Sequence, residues 1–181
     1  MVQVTRYIAF LRAINLGAVH KFPKEAIRSC AESAGFGDVQ THINTGNVVV
    51  STARRSRASV ERALEEAFLA DRGFEVPTIA FRPAELREVV AAGEDLAATR
   101  PDAIRHYVTL LKDDPAAQVA ADVSVSSDPG VAVAVSGRAV HVVSDHVLGQ
   151  GGPQSDRLER VLGVATTRNQ TVLSAIVEKW C

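Results

Sequence analysis

The sequence predicts an α+β protein with two ferredoxin-like halves, each an antiparallel sheet with helices on one face. Residues 4–82 have the element order β-α-β-β-α-β, which defines the ferredoxin-like unit. Residues 104–179 repeat most of that order, which indicates an internal duplication. The chain of 181 residues is 46% hydrophobic and 23% charged, so it can bury a core of this size without disulfides.

The first half begins with a strand at 4–11, where Val, Tyr, Ile, Phe and Leu are typical of buried β-structure. Pro23 then opens a helix at the first-turn position that proline tolerates. A hairpin follows, with its turn at Thr45 and Gly46, because glycine takes a positive φ without steric cost. The remaining elements of this half are a helix and a strand, at 57–70 and 74–81.

The boundary between the halves is predicted just after a third helix, which runs from Pro83 to near Gly93. Residues 94–103 form a predicted loop. We therefore expect an N-terminal ferredoxin-like unit at 1–93 and a C-terminal α+β unit at 94–181.

The second half starts with a strand and a short helix that Asp114 can cap. A second hairpin turns at Gly137, as the first turns at its own glycine. We expect this half to end in two helices, at 154–162 and 170–179, and to have no fourth strand.

Charge and composition exclude several classes of protein. The net charge is −1, which argues against a protein that mainly coats nucleic acid or an anionic membrane. No run of 18 apolar residues could span a bilayer, and Arg6 and Arg12 interrupt any secretory signal. The two cysteines do not indicate a disulfide framework. We therefore expect a cytoplasmic protein without a membrane partner.

The loop after the first strand is the first candidate site. It contains Arg12, Asn15, Gly17, His20 and Lys21. A loop that enters a helix exposes backbone N–H groups, which favour an anion, and arginine can bind an oxyanion with two hydrogen bonds. The alternative is that Arg12 and Asn15 only satisfy the polar backbone of the loop.

The first hairpin turn is the second candidate site, with His42, Asn44, Thr45 and Asn47. Asparagine, threonine and glycine are above all good turn residues. The two asparagines could also contact a ligand if the first loop lies against the turn.

A glycine-rich loop at 148–155 is the third candidate, because such loops can hold a phosphate. It has neither the Gly-Lys-Ser/Thr of a nucleotide-binding P-loop nor the βαβ setting of a dinucleotide site. The alternative is a flexible loop in which Ser155 caps the next helix.

The segment before the last helix is the fourth candidate site, with Thr166, Thr167, Arg168 and Asn169. Arg168 could share an anion with Arg12. Alternatively, Thr167 or Asn169 caps the helix and Arg168 forms a surface pair.

Metal and catalytic patterns are weak. His141, Asp145 and His146 are residue types that bind metals, but the sequence shows no further pair of such residues to complete a site. We therefore predict no metal and no cofactor. The neighbouring carboxylates Glu65 and Glu66 are expected on a solvated helix face. No Gly-x-Ser-x-Gly nucleophile motif is present in the sequence.

Four segments of this chain resemble a known family when they are taken together and in this order. They are YIAFLRAINLG at 7–17, GF at 35–36, TGN at 45–47 and GVATTRN at 163–169. The chain resembles, over essentially its whole length, the family known as DUF1697, a bacterial domain of unknown function. The resemblance implies a duplicated α+β fold with ferredoxin-like halves, and it implies no established activity.

Three positions depart from the family pattern. His42 stands where the family usually has an aromatic residue, and Asp156 stands where it has lysine. The tryptophan that commonly follows Arg-Asn is replaced by Gln170. The loss of the lysine and the tryptophan weakens the inference that these two positions carry a chemistry shared across the family.

The function that we expect is the binding of an anionic small ligand, such as a nucleotide, in a groove lined by Arg12, Asn15, Lys21 and Arg168. Two alternatives stay open. RNA or single-strand binding would use stacking aromatics, but these are only 5% of the chain, so nucleic acid is the less favoured partner. An enzyme of unidentified reaction would use His42 or His20 as an acid–base group.

Overall fold

The computed structural model describes residues 4–125, 128–148 and 160–181. Within these ranges the elements are β1 (Thr5–Leu11), α1 (Lys24–Ser33), β2 (Gly37–His42), β3 (Asn47–Thr52), α2 (Arg57–Arg72), β4 (Thr78–Phe81), α3 (Pro83–Ala98), β5 (Arg105–Leu111), α4 (Ala117–Val123), β6 (Val131–Ser136), β7 (Ala139–Ser144), β8 (Ala165–Asn169) and α5 (Gln170–Trp180). None of the described helices is both long enough and apolar enough to cross a membrane.

The chain divides into two compact units. Unit one is Met1–Glu85 together with Trp180, and unit two is Leu86–Lys179 together with Cys181. Unit one contains a sheet of order β2-β3-β1-β4, and unit two contains a sheet of order β6-β7-β5-β8. All of the strand pairs are antiparallel. The predicted class, an α+β fold with two antiparallel sheets in two similar halves, is confirmed.

The core of unit one lies between its sheet and the helices α1 and α2. Tyr7 and Ala9 of β1 belong to one buried cluster with Leu64 and Phe68 of α2. The opposite face of the strand is buried as well, since Phe10 is fully inaccessible to solvent. Because both faces are buried, β1 is an almost continuous apolar segment rather than an alternating one.

Two glutamates of α2 cover the edge of the first sheet. The side chain of Glu61 is 3% exposed and accepts a hydrogen bond from the backbone N–H of Ala80 at 2.9 Å. Glu65 accepts from the N–H of Thr78 at 2.8 Å. The sequence-based expectation that the Glu65 carboxylate is only solvated was therefore wrong, because edge strands present N–H groups that need acceptors.

The sheet of unit two contains the strand that we did not predict. β8 pairs with β5, so that Tyr107 lies opposite Asn169 and Thr109 lies opposite Thr167. The hydroxyl oxygens of Thr109 and Thr167 are 2.9 Å apart. Threonine favours extended structure and pairs well across strands. The prediction that this half has no fourth strand was wrong, because the segment before the last helix forms β8.

The third helix is longer than predicted, because α3 continues through Gly93 to Ala98. A Cβ atom at position 93 would lie 2.5 Å from Oε1 of Gln170, so the glycine permits close packing and does not end the helix. Much of the predicted loop at 94–103 is therefore helical. Asp114 does not cap α4, because that helix begins at Ala117 without a side-chain cap.

Candidate functional site

The loop between β1 and α1 has an unusual backbone. Ala13, Asn15, Gly17 and His20 have φ angles of 57°, 55°, 59° and 51°. Only glycine and, less strongly, asparagine adopt this left-handed region readily. The loop is therefore strained at alanine and histidine, and contacts within unit one must hold it in place.

The side chain of Asn15 provides those contacts. Its Oδ1 accepts from the N–H of Phe22 at 2.8 Å, and its Nδ2 donates to the carbonyl of Phe22 at 3.0 Å. The same Nδ2 donates to the carbonyl of Asn44 at 2.9 Å. The structure thus brings the first loop and the hairpin turn together, and the Asn15 amide makes three bonds to backbone groups.

The hairpin turn is fixed by Asn47 and Gly46. The side chain of Asn47 is 1% exposed and donates to the carbonyl of His42 at 3.1 Å and to Oγ1 of Thr45 at 2.9 Å. Gly46 has a φ of 77°, and a Cβ atom there would lie 2.8 Å from Cβ of Leu11. Asn47 and Gly46 therefore have a clear structural role in this turn.

Two predicted histidines of unit one contact aromatic rings. His42, at the end of β2, lies edge-on to Trp180 with 6.1 Å between ring centroids. His20 stacks on Phe74 with 4.6 Å between centroids. His42 therefore packs against an aromatic ring within unit one.

The predicted cations lie in different units. Arg12 is half-buried and Lys21 is exposed in unit one, whereas Arg168 belongs to β8 of unit two. The guanidinium of Arg168 donates to Oγ1 of Thr166 at 2.8 Å and to the carbonyl of Thr167 at 2.9 Å. Burial lowers the pKa of Arg168 to about 10, so it is still a cation near neutral pH. A shared anion site for Arg12 and Arg168 stays a prediction.

The third candidate falls on residues that the structure does not describe. Of the glycine-rich loop at 148–155, only Leu148 lies within the described ranges, and Asp156 is also outside them.

Unit two contains a pocket of about 550 Å³. It lies where β5 begins, β8 ends and α5 begins. Its polar lining comes mainly from Arg100, Arg105, His106, Tyr107, Asn169 and Gln170. Of these residues, only Asn169 was a predicted site residue. The other lining residues were missed because the pocket forms where Tyr107 pairs with Asn169. That pairing could be predicted only if β8 was recognised as a strand.

The electrostatics of this pocket favour an anion. Asn169 is the N-cap of α5, and its side chain makes no capping hydrogen bond to the first turn. The first N–H groups of a helix need acceptors and carry partial positive charge. Arg100 and Arg105 donate to the carbonyls of Pro129 and Ile104, both at 2.9 Å. Among the described residues that line the pocket there is no aspartate or glutamate.

Several polar atoms in or beside the pocket are buried without a hydrogen-bond partner in the described chain. They are Nε2 of His106, both ring nitrogens of His141 and Oε1 of Gln170. Gln170 is only 9% exposed, and its Nε2 donates to the carbonyl of Val90 at 2.9 Å. Buried polar groups are nearly always satisfied, so these unpaired atoms are unusual in the core of a protein.

The two imidazoles are neighbours in the sheet of unit two. The ring centroids of His106 and His141 are 5.7 Å apart. Burial lowers the pKa of His106. Burial, with a smaller contribution from His106, lowers the pKa of His141 to about 4. Both rings are therefore neutral near pH 7, since desolvation disfavours the charged form.

The residues that resembled metal ligands separate into two groups. His141 lies beside His106, whereas His146 contacts Asp145 at 2.7 Å and Asp128 at 3.2 Å. The hydrogen bond that His146 donates to the Asp145 carboxylate is the largest of the causes that raise the pKa of His146. Across the described ranges, no cluster of three or more His, Cys, Asp or Glu residues could hold a metal ion.

The two sheets and the pocket define an α+β protein of two similar halves, with a cavity lined by two arginines in the second half. The chain belongs to the DUF1697 family, whose model, described as "Protein of unknown function (DUF1697)", matches residues 4–141. This finding confirms the resemblance seen in the sequence. No curated protein sequence matches the chain.

The fold is similar to that of a solved structure, the conserved bacterial protein SP0830 from Streptococcus pneumoniae. The two chains superpose with a TM-score of 0.70 at 19% sequence identity. The match covers 97% of this chain and 98% of the other. At this identity the similarity establishes a shared fold and leaves the function to be argued from the site.

Proposed function

We propose that this protein, with its two ferredoxin-like halves, is a cytoplasmic module that binds an anionic small molecule such as a nucleotide. The pocket of unit two is the proposed site. The observation that carries this proposal is a cavity at the start of α5 that is lined by Arg100 and Arg105 and by no described carboxylate.

The chemistry of the lining supports an oxyanion as the bound group. The N–H groups at the start of α5 can donate to it, and the helix dipole favours its charge. Arginine offers a planar pair of donors that matches phosphate or carboxylate geometry. Arg100 and Arg105 are oriented by carbonyl oxygens, which do not neutralise their charge.

The size of the cavity supports a small molecule over a polymer. A volume of about 550 Å³ falls in the range of roughly 300–1,000 Å³ that is usual for small-ligand pockets. Proteins that bind single-stranded nucleic acid usually present several stacking aromatics along a basic groove. Tyr107 is the one aromatic residue among the described residues of this lining, apart from the imidazole of His106.

The first loop of unit one stays a second candidate for the anion. Lys21 is exposed there, next to the left-handed His20. The Asn15 amide, in contrast, already bonds the backbone of the loop and the hairpin turn. We therefore rank this loop below the pocket, and one experiment can compare the two.

The experiment is thermal unfolding of the full chain with nucleoside monophosphates, sugar phosphates and short RNA. Wild type is compared with Arg105→Gln, and Arg12→Gln is the matched variant in the first loop. A ligand at about 100 times its Kd adds about 2.7 kcal/mol, which is a rise in Tm of roughly 5–10 °C. We expect this rise with a phosphorylated compound in wild type and Arg12→Gln, and not in Arg105→Gln.

Two results would contradict the proposal. One is the absence of stabilisation by every compound of the panel. The other is stabilisation by RNA that persists in Arg105→Gln and falls steeply with salt, which would favour nucleic-acid binding.

A further inference from the structure

His106 has an unusual position in the pocket wall. It lies in β5 opposite Val143, which also lines the cavity. Its Nε2 atom is buried and has no hydrogen-bond partner in the described chain. A neutral imidazole needs one donor for its free nitrogen and one acceptor for its N–H. The pocket therefore contains a titratable group whose hydrogen bonding is incomplete.

Among the described residues, the charged and titratable groups that the strand register and the cavity lining place beside His106 are histidine and arginine. His141 is 5.7 Å away by ring centroids and lies on the same sheet face, two residues from Val143 on β7. Arg168 of β8 pairs with Val108, which places it on this face as well. Arg100 and Arg105 line the same cavity. Burial lowers the pKa of His106, so the neutral ring is favoured in the absence of a nearby negative charge.

We propose that the pocket takes a doubly charged oxyanion, such as a phosphate monoester or sulfate, and that His106 gains a proton when this anion binds. The inference rests on the proposed function. An anion beside an imidazole favours the protonated ring, which can then donate hydrogen bonds from both nitrogens. By linkage, a proton that is taken up on binding strengthens binding as the pH falls.

Sulfate is the probe of choice for this linkage, because its charge does not change between pH 8 and pH 5. Its binding to the full chain is measured by calorimetry at several pH values and constant ionic strength. We expect the affinity of wild type to rise as the pH falls. The rise approaches about tenfold per pH unit while His106 titrates between its free and bound pKa values. His106→Asn should bind sulfate with little dependence on pH.

A matched control variant and an NMR measurement on the wild-type protein complete the test. His146→Asn removes an exposed histidine elsewhere in unit two and should keep the pH dependence of wild type. Proton NMR of the His106 ring in wild type, with and without sulfate, reports its pKa directly. We expect sulfate to raise that pKa by about one unit or more.

The outcomes separate this inference from the proposed function. If sulfate binds with equal affinity at every pH, or leaves the pKa of His106 unchanged, the proton coupling is overturned and the anion site stands. If the pH dependence persists in His106→Asn, another group takes the proton and the assignment to His106 is wrong. If sulfate binds at no pH, the inference fails, and a nucleotide panel without stabilisation then also ends the proposed function.

Discussion

The polar loop of unit one and the pocket of unit two use their polar groups in opposite ways. The amide of Asn15 makes three hydrogen bonds that join the loop to itself and to the hairpin turn. In the pocket, buried atoms of His106 and Gln170 have no partner in the described chain. Polar side chains that bond the backbone shape the chain, whereas buried groups without a protein partner keep unused hydrogen-bonding capacity. The unusual polar sequence of the first loop is therefore a poorer guide to a ligand site than the lining of the pocket.

The largest effect is expected at the hairpin turn, where the comparison predicts a purely structural role. Gly46→Ala should lower the free energy of unfolding by about 4 kcal/mol, because the new Cβ meets Leu11 and the residue is left-handed. Urea unfolding measures this loss. The matched control is Gly17→Ala, which has a φ of 59° but open space around it and should cost only about 1 kcal/mol. Equal losses in the two variants would mean that close packing at the turn is unimportant.

A somewhat smaller effect is expected from the buried imidazole of unit two. The pKa of His141 is lowered from 6.5 to about 4 in the folded chain, so its contribution to stability is complete above pH 6.5. It is lost as the pH falls from there towards 4, because only the unfolded chain takes up the proton readily. We expect a loss of up to about 3 kcal/mol from this group. Urea unfolding at pH 7, 6, 5 and 4 measures it.

The control for this pH dependence is His141→Gln. Carboxylates elsewhere also change stability in acid, so the difference between wild type and His141→Gln isolates the imidazole. An identical pH dependence in both proteins would show that His141 is not held neutral in the folded chain.

A moderate effect is expected from the loop side chain. Asn15→Ala removes three hydrogen bonds and the residue that, after glycine, best tolerates a left-handed backbone, and should cost about 2 kcal/mol. The affinity of the pocket for an anion should not change. Lys21→Ala, at an exposed position of the same loop, should cost less than about 0.5 kcal/mol. Loss of anion binding in Asn15→Ala, with the fold intact, would move the site to the loop.

The smallest effect on stability is expected at Gly93, which lies against the pocket residue Gln170. Gly93→Ala places a Cβ atom 2.5 Å from Oε1 of Gln170, while alanine is the better helix former, so the net cost is about 1 kcal/mol. Displacement of Gln170 should weaken anion binding several-fold. The cost to stability should disappear in a Gln170→Ala background, as a double-mutant cycle would show. A cost that is the same in both backgrounds would mean that the two side chains do not meet.

Most of the fold could be predicted because its elements have clear local signals. β1 is a long apolar strand, and α1 begins after Pro23. The hairpin between β2 and β3 turns at Gly46, as its sequence indicates. These signals depend on neighbouring residues alone, so periodicity and turn chemistry were sufficient to find them.

β8 could not be predicted in the same way. Its five residues are Ala-Thr-Thr-Arg-Asn, without an apolar alternation, and its partner strand lies about sixty residues earlier in the chain. The pocket depends on that pairing, because it brings His106 and Tyr107 beside the start of α5. Asn169 was the one residue of this lining that sequence reasoning placed in a candidate anion site, with helix capping as the alternative role.

The central claim is that an anion binds in the pocket of unit two and not at the polar loop of unit one. The most direct measurement is a titration of the isotope-labelled full chain with sulfate, followed by the backbone amide signals in NMR. We predict the largest shifts at Gln170 and Thr171, at the start of α5, and at Arg105. Shifts confined to residues 15–21, with the amides of α5 unchanged, would contradict the claim.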